Sequence, residues 1–235
     1  SCGGWHTIVC AWNGWVLTCG KGWHGQLGQG DYESLTAQSK TLPYFKRIVD
    51  GFGDHVILKV FGGKEVSAAL SEAGRVFTWG QGDQCQLGHD STSNEPEPRE
   101  LEALSRIRIV DIALGENHML ALDEMGVPYS WGKGTAGQLG HGELGEKQRV
   151  PRAIELCRRV SKSSSGFDTI TRDIKWGSFF FQKTREQGEE EDKENIFFQR
   201  GKVVMIGAEG NYSVFVLERK ANKMEIKVYQ EALAR

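Results

Sequence analysis

No stretch of this chain approaches the ~18 consecutive apolar residues of a membrane-spanning helix, and the first residues lack the basic, apolar and small-residue succession of a secretory signal. Proline is scarce, at five of 235 residues, which excludes a proline-rich disordered chain. Cysteine is also scarce. Cys2, Cys10, Cys19, Cys85 and Cys157 are odd in number and form no paired framework, so reduced thiols and a cytoplasmic or nuclear location are expected. Charge of either sign is not in excess. The formal net charge is −2 and the isoelectric point about 6.3, so a dominant basic face is absent and direct nucleic-acid binding is not expected.

Catalytic motifs are missing too. Gly20-Lys21-Gly22 and Gly132-Lys133-Gly134 are not followed by Lys and Ser or Thr, so neither is a phosphate-binding P-loop. The spacing does not fit the dinucleotide Gly-x-Gly-x-x-Gly. Ser/His/Asp, Cys/His and paired-carboxylate arrangements do not stand out. Cys2 with His6, Cys19 with His24 and Cys85 with His89 are loosely zinc-like, but none supplies four ligands. No catalytic residue, cofactor site or metal ligand is assigned, and no cofactor is expected.

Glycine and tryptophan are what the chain has in abundance: 30 Gly, against the ~7% of an average chain, and seven Trp. The glycines recur in a pattern. Cys19-Gly20-Lys21-Gly22 leads to Gln26-Leu27-Gly28, Trp79-Gly80-Gln81-Gly82 to Gln86-Leu87-Gly88, and Trp131-Gly132-Lys133-Gly134 to Gln138-Leu139-Gly140. A block returning at this interval is a supersecondary unit that must stack on its neighbours to bury its apolar face.

The flanks repeat as well. Gly3-Gly4-Trp5-His6, Gly63-Lys64-Glu65-Val66 and Gly115-Glu116-Asn117-His118 each open an apolar run. Asn13-Gly14, Ala73-Gly74 and Met125-Gly126 are hairpin turns. The strand Arg75-Val76-Phe77-Thr78-Trp79 alternates as a half-buried strand should. Pro128 cannot donate a ladder hydrogen bond, so its position must not need one. Each unit reads as two hairpin-linked strands, a glycine-rich turn and one or two further strands, which together make a four-stranded antiparallel blade. Residues 1–157 hold three such repeats. Residues 158–202 form an irregular insertion with an acidic loop, and residues 203–235 a degenerate fourth repeat with Tyr212 at the His6 and His118 position.

Gly-x-x-His-[Thr/Ser], Gly-x-Val-[aromatic]-x-Trp-Gly-x-Gly and Gln-Leu-Gly in this order resemble the regulator of chromosome condensation repeat, over residues 2–156 and more weakly over 203–229. The resemblance implies an all-β fold, a β-propeller, here partial because three good copies and one partial copy cannot close the family's seven-bladed ring. Ser1 opens inside a repeat, so the chain is expected to be a piece of something longer. The resemblance further implies a protein-interaction scaffold that presents propeller loops to a protein partner, a small GTPase or a chromatin component. The alternative is guanine-nucleotide exchange on a Ran-like small GTPase, without covalent catalysis by the propeller.

The repeated glycines are expected to serve turns. The amides of Gln26, Gln86 and Gln138 should satisfy backbone groups of the tight turn, with Leu27, Leu87 and Leu139 plugging the space between blades. His6 and His118 read as hydrogen-bonded core residues, because Val66 fills the same slot elsewhere. The tryptophans should pack between blades. The acidic run, with Glu189, Glu190, Glu191 and Asp192, is the one surface candidate for contact with a basic protein partner.

Overall fold

The computed structural model describes residues 1–30, 40–142, 145, 147–154, 202–210 and 212–218. It is built from antiparallel strands; among the described residues the only helical element is one short 3₁₀ turn, Glu102–Leu104. Blade 1 contains β1 (His6–Cys10), β2 (Val16–Lys21) and β3 (Thr41–Arg47). Blade 2 contains β4 (Ile57–Gly62), β5 (Val66–Ser71), β6 (Val76–Gly80) and β7 (Glu95–Glu100). Blade 3 contains β8 (Ile109–Leu114), β9 (His118–Asp123), β10 (Pro128–Lys133) and β11 (Lys147–Ala153). Blades 2 and 3 are four-stranded sheets in simple order, and blade 1 has three strands. Strands β12 (Lys202–Glu209) and β13 (Tyr212–Glu218) pair as the beginning of a fourth blade. The propeller is incomplete, as the repeat number implies.

A blade in space is offset from a repeat in sequence. The first strand of blade 2, β4, lies ahead of Gly63-x-x-Val66, in the place of a further strand of the preceding repeat. In blade 1 the place of β4 holds a single bridge, Cys2 with Thr7, in the register by which Gly62 pairs with Ser67. The turns fall where Asn13-Gly14, Ala73-Gly74 and Met125-Gly126 put them: Gly14, Gly74 and Gly126 donate back to Ala11, Ser71 and Asp123.

Between the last two strands of each of blades 1, 2 and 3 the register shifts at one residue, Cys19, Trp79 or Trp131. The glycine after it adopts a φ near +100°, which an L side chain resists. Pro128 opens its strand, where its missing N–H costs nothing, and its carbonyl accepts from Ile154.

The blades stack face to face, and apolar clusters fill the joints. Ile8, Val16, Ile57, Phe77 and Trp79 join blades 1 and 2. Val66, Leu70, Leu87, Ile112, Met119 and Trp131 join blades 2 and 3. Leu120, Leu122, Ile154 and Ile206 join blades 3 and 4. The half-buried expectation for Arg75–Trp79 fails for its strand portion: β6 is buried along its whole length, as are β5 and β9. A blade with a neighbour on each side has no wet face, so its polar residues Ser67 and Thr78 lie inside, fully buried.

Candidate functional site

The glycine-rich stretch folds back on itself at one end of each blade. Gln26 Oε1 accepts from the backbone N–H of His24 at 2.9 Å, Gln86 Oε1 from Gln84 at 2.7 Å and Gln138 Oε1 from Ala136 at 2.9 Å. The amide oxygens therefore close the tight turns, whereas the buried Nε2 groups of Gln26 and Gln138 meet no partner among the described residues. The leucines divide. Leu87 enters the joint between blades 2 and 3, whereas Leu27 packs on Leu42 of its own blade.

The backbone carbonyls of these glutamines face the next blade. Gln26 O accepts Trp79 Nε1–H at 3.0 Å and Ser67 Oγ–H at 2.8 Å. Ser67 has then used its proton, so its oxygen accepts from His6 Nε2–H, 2.8 Å away. The same chain joins blades 3 and 4, from His118 to Ser213 at 3.0 Å and on to Gln138 O at 2.8 Å. Between blades 2 and 3, Val66 stands in the histidine slot and Met119 in the serine slot. Gln86 O there keeps its bond from Trp131 Nε1–H at 2.8 Å.

The Gly-x-x-His spacing has a steric cause: a side chain on Gly3 or Gly115 would collide with the imidazole of His6 or His118. Gly28 and Gly88 lie under the next blade's indole, where an added Cβ would come within 2.8 and 2.9 Å of Trp79 and Trp131 Nε1. Burial pushes the His6 imidazole from 6.5 down to about 4, so the ring is neutral at physiological pH.

A second relay runs inside each blade and escapes a motif reading. Thr18, Thr78 and Ser130 donate their hydroxyl protons to the carbonyls of Leu27, Leu87 and Leu139 at 2.7–2.8 Å. Each oxygen then accepts from the residue after the third glycine: Gln29 Nε2 at 3.2 Å, His89 Nε2 at 2.9 Å or His141 Nε2 at 2.9 Å. Burial, with the positive charge of Arg99, holds His89 below its ordinary value. The constant separations of nine and eleven residues were the available signal.

Tryptophan splits into two populations. Trp79 and Trp131 are fully buried in the joints. On blade 1 the expectation of packing between blades is wrong: Trp12 is 99% exposed, and Trp5, Trp15 and Trp23 are about half exposed. Trp5 and Trp23 stand 6.4 Å apart and hold Lys21 Nζ between them, 4.4 and 4.3 Å from their ring centres. At the other end of the blade, Arg47 lies 4.1 Å over the Trp15 ring. With Tyr44 and Phe45, also exposed, these residues form an aromatic and cationic rim.

The loosely zinc-like pairs are not brought together as ligands. His6 and His89 are bound to Ser67 and Thr78, and among the described residues no three His, Cys, Asp or Glu side chains are grouped to hold a metal. Cys2, Cys10, Cys19 and Cys85 are free thiols. Glu189, Glu190, Glu191 and Asp192 lie outside the described residues, as does most of the 158–202 insertion. Among the described residues no helix is long and apolar enough to cross a membrane.

The sequence pattern that defines the regulator of chromosome condensation (RCC1) repeat matches residues 73–122 and 126–169. The first match takes β6 and β7 from blade 2 and β8 and β9 from blade 3, so one repeat stitches two blades. The chain is 41% identical over 157 residues to human E3 ubiquitin-protein ligase HERC2, covering 65% of this chain and 3% of that one. It is 37% identical over 154 residues to the ultraviolet-B receptor UVR8 of Arabidopsis thaliana, covering 65% and 31%. Among solved structures, Prp20p of Saccharomyces cerevisiae superposes with a TM-score of 0.65 at 19% identity, covering 94% of this chain and 43% of that one. The chain thus spans less than half the length of each of these relatives. Repeated glycine turns, blade-to-blade carbonyl bonds and these matches together place the chain in the RCC1 repeat family.

Proposed function

We propose that this chain is a protein-interaction scaffold that presents propeller loops and the rim of blade 1 to a protein partner. The observation that carries this reading is the contrast in tryptophan. The joints use two buried indoles, while blade 1 exposes four more, three of them with Lys21 or Arg47 seated on the ring. Trp and Arg are the side chains that most often anchor protein interfaces, and blades locked by buried hydrogen bonds hold such loops in fixed positions. The partner classes proposed are a small GTPase and a chromatin component, in the cytoplasm or nucleus. Prp20p is described as binding Gsp1p and histones, and that support rests on a shared fold.

The test is proximity labelling from the expressed chain, compared with a Trp5→Ala/Trp23→Ala variant whose circular dichroism and urea midpoint are unchanged. Loss of the labelled partners by tenfold or more supports the reading, and identical labelling overturns it. A nucleotide-release assay with a Ran-type GTPase is run alongside. No acceleration is expected, and acceleration by the chain would replace the scaffold reading with guanine-nucleotide exchange.

A further inference from the structure

Each joint brings together the residue that opens the second strand of one blade and the residue after that position on the next blade. The three described joints read His6 with Ser67, Val66 with Met119, and His118 with Ser213. Two independent positions thus change together, from a hydrogen-bonded pair to an apolar one. We infer that this pair is a matching element that decides which blades can stand side by side.

The physical reason is the cost of a mismatch. Histidine opposite methionine leaves a buried Nε2–H without an acceptor. Valine opposite serine leaves the space of an imidazole ring empty and the hydroxyl oxygen without its donor. The cradle itself does not discriminate, because blade 2 keeps Gly63 three residues before Val66, as Gly3 and Gly115 precede their histidines.

Thr7 follows His6 as Ser67 follows Val66, so blade 1 carries a hydroxyl on its face turned away from blade 2, the counterpart of the blade 2 face that meets blade 1. Around it, Val9 pairs with Leu17 and Thr7 with Cys19 across β1 and β2. Val9 is exposed, and no preceding blade covers this face among the described residues. Cys19 stands where blades 2 and 3 have a buried Trp.

Urea unfolding of the full chain tests the rule with a double-mutant cycle: His6→Val, Ser67→Met and both together. Each single change is expected to lower the folding constant about ten- to a hundredfold, and the double change to recover at least tenfold of the summed loss. Losses that simply add would overturn the inference. The reverse graft, Val66→His with Met119→Ser, gives a second reading if a single variant fails to fold. The double variant should fold more stably than either single, and a double no better than the worse single speaks against the rule. Thr7→Met is the control on the uncovered face. It should leave the urea midpoint unchanged, and a loss equal to that of Ser67→Met would place the effect within the blade instead of the joint.

Discussion

At the scale of single residues, the buried hydroxyls and imidazoles form a set of dependent contacts, and their worth shows in pH and in isosteric changes. His6 is lowered to about 4 in the folded chain, whereas the unfolded chain titrates near ~6.5. The unfolded state therefore binds the proton first as pH falls. The contribution is fully present above about pH 6.5 and is lost progressively down to about pH 4. That loss amounts to about 3 kcal/mol for His6, and His89, lowered in the same direction, adds to it. Urea midpoints should be flat above pH 7 and fall below 6.5, with a shallower fall in His6→Gln. An equal slope in that variant would exclude His6 as the source. Thr78→Val keeps the shape of a fully buried side chain but removes the donor to Leu87 O and the acceptor for His89 Nε2. It should cost about 2–3 kcal/mol in the same assay, and a cost below about 0.5 kcal/mol would mean that water replaces the hydroxyl.

At the scale of strands and turns, the indoles at the bulges link one element to the next. Trp131→Phe should destabilise the chain by about 1 kcal/mol more than Trp79→Phe. Gln26 O keeps Ser67 as a donor when Trp79 loses its N–H. Gln86 O faces Met119's blade and receives only the Trp131 bond among the described hydrogen bonds. Equal losses would show that the carbonyl bond does not set the difference. Much of this element scale was legible in the chain. The hairpin turns, the Gln-closed loops and the Leu87 plug follow from side-chain types at fixed spacing, and the family pattern from their order, whereas Leu27 packs within its own blade. Three features were not legible, each because it depends on a neighbour that local pattern does not name. Strand β4 reads as a further strand of the repeat before it because its partner strand β5 comes after it. Ser67 and Thr78 look like the wet side of a strand because the adjoining blade is invisible in sequence. Trp5, Trp12, Trp15 and Trp23 look like core because tryptophan usually is, and only stacking shows that blade 1 has one uncovered face.

At the scale of the whole molecule, stability is a chain of nearest-neighbour joints, and the joints are unequal. The joint between blades 2 and 3 holds the most extensive apolar cluster, with Leu101, Leu104 and Ile109 adding to the strand residues. It is also crossed by exposed ion pairs, Lys59 with Asp111 and Lys64 with Glu116. These pairs are screened by solvent and contribute little beside the buried cluster. Blade 1 is held on one side only among the described residues, and its rim aromatics remain in water. Blade 1 should therefore open at lower free energy than blades 2 and 3, and opening should not require their unfolding. Native-state hydrogen exchange reads this directly. The amides of β1 and β2 should exchange through a sub-global opening, while β5, β6, β9 and β10 exchange only with global unfolding. Equal protection of β2 and β6 would mean that the joint between blades 1 and 2 transmits the full stability of the stack. In that case the scaffold would present its aromatic rim from a single cooperative body and not from a blade able to open by itself.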